Sequence, residues 1–240
     1  MLLPYGDTDI PGAPTPIVTY LLIAVNLAAF AYQAALPQPE LEALVYAYGF
    51  VPAEGFDRSA TLTSMFLHGG FAHVGGNMLF LWLFGDNIEQ TVGRARYAAF
   101  YLAGGIVATV AHYLANPAST IPAIGASGAI AAVMGAYIVC FPKSQIRMLW
   151  LFFPFRISAF LFLGVWIAQQ LLSGTASLGV PTEDTAGVAW WAHIGGFAFG
   201  VACGFAFRGA RVRPLPPVAR RGSAWVPRRE PTNRRPPRSR

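Results

Sequence analysis

Long apolar runs separated by short polar loops limit most strongly what this chain can fold into. Of its 240 residues, 55% are hydrophobic and only 12% are charged. Soluble globular chains average about 25% charged residues, so lipid is the expected solvent for much of this one. A helix needs roughly 17–25 apolar residues to cross the hydrocarbon core of a bilayer. Six runs are long enough, and they lie at about 15–36, 66–85, 96–115, 124–141, 157–174 and 187–207.

The basic residues predict how these spans are oriented. Arg94 and Arg96 follow the second span, the loop 142–156 follows the fourth, and the tail 208–240 with its eleven arginines follows the sixth. All three segments lie on the same side of a six-span bundle. Short loops rich in Lys and Arg stay in the cytoplasm, so both termini are expected to be cytoplasmic.

The chain divides into three predicted regions within an all-α membrane protein. Residues 1–14 form a short cytoplasmic N-terminus, residues 15–207 a six-helix bundle, and residues 208–240 a disordered tail rich in Arg and Pro. We expect a multi-pass protein of the cell (plasma) membrane. The arginines of the tail are expected either to contact anionic lipid head groups or to remain solvated and only fix the orientation of the protein in the membrane. Nucleic acid is not an expected partner.

Two connecting segments are apolar without being long enough to span. The stretch LEALVYAYGF, at 41–50, is interpreted as a helix lying flat in the membrane interface. The stretch RMLWLFFPFR, at 147–156, precedes the fifth span. Because it contains Pro154 and ends at Arg156, we interpret it as an interfacial loop.

Polar side chains inside three of the spans are the candidates for function, because a polar group in hydrocarbon is costly. In the second span His73 and Asn77 are four residues apart, which places them on one helical face. The sixth span carries His193 on the same face as a row of glycines, and the fourth carries a lone serine on a face of small residues. The two faces consist of His193, Gly196, Gly200 and Gly204, and of Ser127, Ala131 and Gly135.

Close packing of these two faces would bring Ser127 within hydrogen-bond reach of His193, since small residues let helix backbones approach. A serine beside a neutral imidazole is an activated nucleophile. Acyl transfer also needs donors for the developing oxyanion. His73 and Asn77 could supply them, together with the backbone N–H of Ser127, which lies in a first helical turn where N–H groups have no intrahelical partner.

The same residues resemble the motifs of the rhomboid family of intramembrane serine proteases. GASG at 125–128 resembles the GxSG motif of the nucleophile, HVGGN at 73–77 the HxxxN motif, and AHIGG at 192–196 the AHxxG motif of the base helix. The resemblance extends from about residue 15 to residue 207. The three motifs occur in order and on the corresponding spans, which makes their combination far more specific than any one of them.

The resemblance implies a six-helix core and a Ser–His dyad without an acidic third member. Ser127 would be the nucleophile and His193 the general base and acid, while His73, Asn77 and the Ser127 amide would stabilise the oxyanion. Transmembrane proteins in the bilayer would be the substrates, cut near the outer membrane face. No metal ion or cofactor is implied.

Two positions depart from the family pattern. Well-known members carry an aromatic residue four positions after the serine, stacked on the histidine, whereas this chain has Ala131. The His193 ring is then expected to be oriented by Trp190, Trp191 or a water. A Trp-Arg pair common in the first outer loop is replaced here by Ser59 and Ala60.

Three alternatives compete with a protease. A catalytically impaired relative that binds membrane clients would be expected to lack the serine or the histidine, and both are present. A transporter or channel would be expected to carry charged residues inside the spans, and these spans hold almost none. A metal enzyme built on His68, His73, His112 and His193 lacks an HExxH motif and an intramembrane carboxylate.

Overall fold

The computed structural model describes residues 2–8, 10, 12–177 and 189–209. The predicted tail 208–240 therefore lies outside the described residues from position 210 onward, as does most of the loop before the sixth predicted span. The described chain is mostly helical. Its helices are α1 (Ile17–Ala35), α2 (Gln38–Tyr48), α3 (Arg58–Thr63), α4 (Phe71–Val92), α5 (Arg94–Ala115), α6 (Ser127–Cys140), α7 (Ala159–Ser177) and α8 (Trp190–Phe207).

Within the described residues, four helices are long and apolar enough to cross a membrane, namely α1, α5, α7 and α8. The fold is thus that of a helical membrane protein, as the sequence predicts. The other two predicted spans correspond to α4 and α6, which are not among the four. With 14 residues, α6 is about 21 Å long at 1.5 Å per residue, which is shorter than the hydrocarbon core of about 30 Å.

The helix α4 begins and ends later than the predicted span 66–85. Its N-terminal boundary is Gly70, whose backbone is not helical, and its C-terminal boundary is Gly93 with φ +84°. The polar residues after position 85 stay in the helix because folded partners satisfy them. Glu89, which is 3% exposed, accepts hydrogen bonds from the backbone N–H groups of Val18 and Thr19 at the start of α1, at 3.0 and 2.7 Å.

The predicted interfacial loop at 147–156 is wrong, because this segment is a β-hairpin. Strands β2 (Gln145–Trp150) and β3 (Phe153–Ser158) pair antiparallel, and β1 (Leu2–Gly6) adds to the other edge of β2. Pro154 does not prevent the pairing, since it lies on the edge strand β3, where a missing N–H is tolerated. The non-helical N-terminal segment and the loop between α6 and α7 are thereby joined in one small sheet.

A buried polar cluster fixes the N-terminal segment to the helices. The carboxylate of Asp7 is 8% exposed and accepts hydrogen bonds from the side chains of Asn87 on α4 and Tyr137 on α6. The hydroxyl of Tyr137 also lies 2.8 Å from Ser144 Oγ. Buried polar groups need partners, so this cluster specifies where β1 lies against the helices.

The helices α6 and α8 pack in parallel at backbone contact distance. A Cβ at Gly196 would overlap the carbonyl of Gly128, and a Cβ at Gly200 would overlap the carbonyl of Ala132. The contact continues between Gly204 and Ala136. Almost all of α6 is buried, so it forms the centre of the bundle with its N-terminus beside that of α8.

Candidate active site

The first residue of α6 and the fourth residue of α8 form a hydrogen-bonded pair. Ser127 Oγ lies 2.7 Å from His193 Nε2, although the two residues are 66 positions apart. The close packing of α6 against α8 makes this distance possible, because a side chain at Gly196, one turn below His193, would hold the helices apart. This is the geometry expected of a serine nucleophile and its base.

The other nitrogen of the His193 ring has a partner of its own. His193 Nδ1 lies 2.7 Å from Oε1 of Gln170 on α7, and Gln170 is 4% exposed. Two indole rings border the imidazole: Trp166 at 5.8 Å between ring centroids and Trp190 at 6.3 Å. Of the orienting residues proposed from sequence, Trp190 thus contacts the ring, whereas Ala131 is buried beside Gly196.

His73 presents one ring nitrogen to the space beside Ser127. The backbone N–H of Gly69 donates to His73 Nδ1 at 3.2 Å. In a neutral imidazole the other nitrogen then carries the proton, so His73 Nε2 is a donor. This nitrogen faces the backbone of Gly125, where an added Cβ would lie 2.8 Å from it.

Asn77 presents a second donor to the same space. Its Nδ2 would lie 3.6 Å from a Cβ at Gly125, and the residue is 8% exposed. Among the described residues, this buried Nδ2 finds no hydrogen-bond partner. A buried unpaired donor costs about 1–3 kcal/mol, and this one lines the same cavity as Ser127, where it could pair with an acceptor on a bound ligand.

A cavity of about 320 Å³ joins these groups. Its polar lining comes from Ser127, His193, His73 and Asn77. The remaining walls are apolar or small and include Ala72, Gly76, Phe80, Ile124, Ile130, Met134, Trp166 and Ala189. All four site residues predicted from sequence therefore face one volume, which has room for several waters or for a short peptide segment.

A second, much smaller cavity of about 30 Å³ also borders Ser127. Ser64, Thr109 and His112 contribute polar groups to its lining. A volume of this size holds about one water. His112, which the sequence suggested only as a metal ligand, thus lines a water-sized space that borders Ser127. Among the described residues, no group of three or more His, Cys, Asp or Glu side chains is placed to hold a metal ion.

Sequence reasoning missed Gln170 and Trp166. Gln170 is a polar side chain in an apolar span, so the criterion that selected His73 and Asn77 also applies to it. Trp166 precedes it by four residues and therefore shares its helical face. Two adjacent glutamines, Gln169 and Gln170, point to different sides of a helix. Without a further polar residue three or four positions away, the sequence does not show which of them faces the other helices.

Comparison with known proteins identifies the family. A family profile for the Rhomboid domain matches residues 57–210, which is more than half of the chain. Presenilin-associated rhomboid-like protein, mitochondrial, of Bos taurus is 30% identical over 160 residues, which cover 62% of this chain and 38% of the relative. Rhomboid protein 1, mitochondrial, of Saccharomyces cerevisiae is 31% identical over 146 residues, with 59% and 40% covered.

RHOMBOID-like protein 5 of Arabidopsis thaliana is 29% identical over 149 residues, with 62% of this chain and 44% of the relative covered. The chain therefore matches less than half the length of these curated relatives. The bovine and yeast relatives are named as mitochondrial proteins. This finding contradicts the plasma membrane predicted from sequence. Basic loops predict how spans are oriented, but they do not tell which membrane holds them.

Proposed function

This chain belongs to the rhomboid family, and on that premise we propose that it is an intramembrane serine endopeptidase. It hydrolyses peptide bonds of transmembrane substrate proteins near the outer membrane face. The observation that carries the proposal is the 2.7 Å contact between Ser127 Oγ and His193 Nε2, at the edge of a cavity into which an unpaired buried donor points.

In the first half of the reaction Ser127 is acylated. Its Oγ attacks the carbonyl carbon of the substrate peptide while His193 Nε2 takes the hydroxyl proton. The tetrahedral intermediate then collapses, the bond between carbon and the leaving nitrogen breaks, and His193 gives its proton to the departing amine. The products of this half are an acyl-Ser127 ester and a peptide with a new amino terminus.

The oxyanion of the intermediate is stabilised by three donors. They are His73 Nε2–H, Asn77 Nδ2–H and the backbone N–H of Ser127, which is the first residue of α6 and so has no partner within the helix. Hydrogen-bond donors that are already in position before the reaction stabilise an oxyanion most strongly in a site that excludes bulk water. Each such donor typically contributes about 2.7–4 kcal/mol to the stability of the transition state.

In the second half, water hydrolyses the acyl-enzyme. His193 Nε2 removes a proton from the attacking water, and the ester bond to Ser127 Oγ breaks with return of that proton to the serine. The water-sized space lined by Thr109 and His112 adjoins Ser127, so a water can be held there beside an otherwise apolar bundle.

The helices α4 and α6 complete a six-span bundle in this proposal, with both termini on the side rich in Lys and Arg. Their polar or short character is compatible with spanning because neighbouring helices cover them: α6 is buried along almost all of its length, and half of the residues of α4 are buried. The names of the relatives favour a mitochondrial membrane. Fractionation of cells that express the tagged protein would test the location, and reporters fused to each terminus would test the orientation.

The second candidate is a rhomboid-like protein that binds membrane clients without cleaving them. The presence and contact of both dyad residues favour the enzyme over this alternative.

The test is cleavage of a single-span substrate with small residues near its outer end by the purified protein in detergent, with Ser127→Ala and His193→Ala as controls. Labelling by a fluorophosphonate, which reacts with activated serines, is followed in parallel. Cleavage and labelling that both variants abolish support the protease. A wild-type protein that binds the substrate but neither cleaves it nor labels is the client-binding relative.

A further inference from the structure

The partner of His193 Nδ1 decides which tautomer the ring adopts. The atom facing Nδ1 at 2.7 Å is the carbonyl oxygen Oε1 of Gln170. An amide oxygen only accepts hydrogen bonds, so Nδ1 must carry the proton. In a neutral imidazole this leaves the lone pair on Nε2, which is the nitrogen facing Ser127 Oγ. The amide thus holds the ring in the one neutral form that can accept the serine proton.

The helix α7 is built to bring Gln170 to this position. Trp166, Gln170 and Gly174 are spaced by four residues and form one face of the helix. Trp166 contacts the His193 ring. At Gly174 an added Cβ would lie 3.0 Å from the side chain of Ile194, so the absence of a side chain there lets α7 approach α8 where the histidine lies.

Burial makes the contact specific. Gln170 is 4% exposed, whereas its neighbour Gln169 is exposed. The amide therefore does not exchange freely between His193 and solvent. When His193 accepts the serine proton, the bond from Nδ1–H to Oε1 becomes charge-assisted, and such bonds are roughly twice as strong as neutral ones.

We propose that Gln170 is a positioning residue that fixes the tautomer and orientation of His193 and so supplies the third member that the Ser–His dyad otherwise lacks. The inference rests on the proposed protease function. It accounts for Ala131 at the position where an aromatic ring would otherwise orient the histidine. Gln170 acts through His193 and does not touch the reacting atoms.

The test compares Gln170→Met, which keeps the length of the side chain and removes the acceptor, with Gln170→Glu, which keeps an acceptor. Gln169→Met is the matched control on the exposed side of α7. For each protein kcat, KM, the rate of fluorophosphonate labelling of Ser127 and the thermal midpoint are measured. Because hydrogen bonds to charged groups contribute more than neutral ones, Gln170→Met should lower kcat and the labelling rate about 10- to 100-fold with KM nearly unchanged.

Gln170→Glu should restore part of that loss, and Gln169→Met should match the wild type. An unchanged kcat in a folded Gln170→Met protein overturns the inference, as does an equal loss in folded Gln170→Glu. A loss of kcat that only parallels a fall in the thermal midpoint shows that Gln170 has a purely structural role, and this result also overturns the inference.

A spectroscopic readout separates this inference from the proposed function. In ¹⁵N-histidine-labelled Ser127→Ala protein, with His193 assigned through its alanine variant, the nitrogen shifts report the tautomer directly. A single Nδ1–H tautomer that is lost on adding Gln170→Met supports the inference, and the same tautomer in both proteins overturns it. If the wild type neither cleaves nor labels, the proposed function fails, and the tautomer alone then decides the role of Gln170.

Discussion

His73 Nε2 lies against the backbone of Gly125, two residues before the candidate nucleophile. A Cβ added to Gly125 would lie 2.8 Å from this nitrogen and 3.6 Å from Nδ2 of Asn77. The glycine also has φ +124°, a conformation that residues with side chains rarely adopt. The absence of a side chain at this position therefore keeps open the space that both donors face.

Gly125→Ala should lower kcat strongly while the dyad stays in place. The new methyl group must displace the His73 ring, and loss of one oxyanion donor costs about 10²–10³-fold in kcat. Gly55→Ala is the matched control, because Gly55 also has a positive φ, +91°, but an added Cβ there meets nothing within 4 Å. Both variants should lose about 1–3 kcal/mol of stability through backbone strain, and only Gly125→Ala should lose activity. Equal kcat values in the two folded variants would contradict this reading of the site.

Asn77→Ala should separate activity from stability. Loss of the Nδ2 donor should reduce kcat about 10²–10³-fold with little change in KM, since the bound substrate has no oxyanion until Ser127 attacks its carbonyl carbon. The free energy of unfolding should change by less than about 1 kcal/mol, because deletion of an unsatisfied buried donor offsets the loss of packing. Steady-state kinetics and denaturation in mixed micelles measure the two effects. A raised KM with unchanged kcat would show that Asn77 binds the ground state instead.

The features of this molecule that its sequence predicts well depend on the spacing between residues close together in the chain. Hydropathy located both ends of α1, α5, α6, α7 and α8 to within three residues, because each is a continuous apolar run. The exception is α4, which begins five residues and ends seven residues later than predicted. The glycine row on α8 predicted its contact with α6, since spacing by four defines a helical face whatever surrounds it. The pairing of Ser127 with His193 could be predicted for the same reason. Each residue lies near the start of its helix, on the face of small residues through which the two helices pack.

The parts that sequence missed depend on contacts between distant segments. The strand β2 pairs with β3 and also with β1 from the distant N-terminus, and an apolar stretch containing Pro154 gives no local sign of either pairing. The partner of His193 Nδ1 comes from α7, and which of the two glutamines faces the histidine depends on the rotation of that helix. The start of α4 at Phe71 reflects the backbone conformation of Gly70, which the hydropathy of the surrounding residues does not report.

Gly200→Ala should destabilise the bundle more than any alanine substitution at an open position. The added methyl would overlap the carbonyl of Ala132, so α8 must move away from α6 at an overpacking cost of about 1–3 kcal/mol. Gly164→Ala on α7 is the control, since its Cβ would meet nothing within 4 Å; there the better helix propensity should leave stability unchanged or raise it by up to about 1 kcal/mol. The two variants are compared by their unfolding midpoints in mixed micelles. Equal midpoints would show that the packing of α6 against α8 adapts more freely than its backbone contacts indicate.

Asp7 should contribute to stability through Tyr137 and should hold β1 in place. Its carboxylate accepts from Tyr137 and Asn87, so Asp7→Ala deprives two buried donors of a partner at a cost of about 1–3 kcal/mol. Tyr137→Phe removes one of these donors and the contact with Ser144. If the two side chains act together, the double variant should be less destabilised than the sum of the single ones, with a coupling free energy of about 0.5–3 kcal/mol.

Limited proteolysis of the N-terminal segment should accelerate in Asp7→Ala, because this segment then loses the Asp7 hydrogen bonds to α4 and α6. Tyr5→Phe, at an exposed position of the same strand, should change neither stability nor cleavage, since surface substitutions usually stay within about 0.5 kcal/mol. Additive single effects together with unchanged proteolysis would mean that the strand pairing alone holds this segment. The Asp7 cluster would then be a satisfied polar contact without influence on where the N-terminus lies.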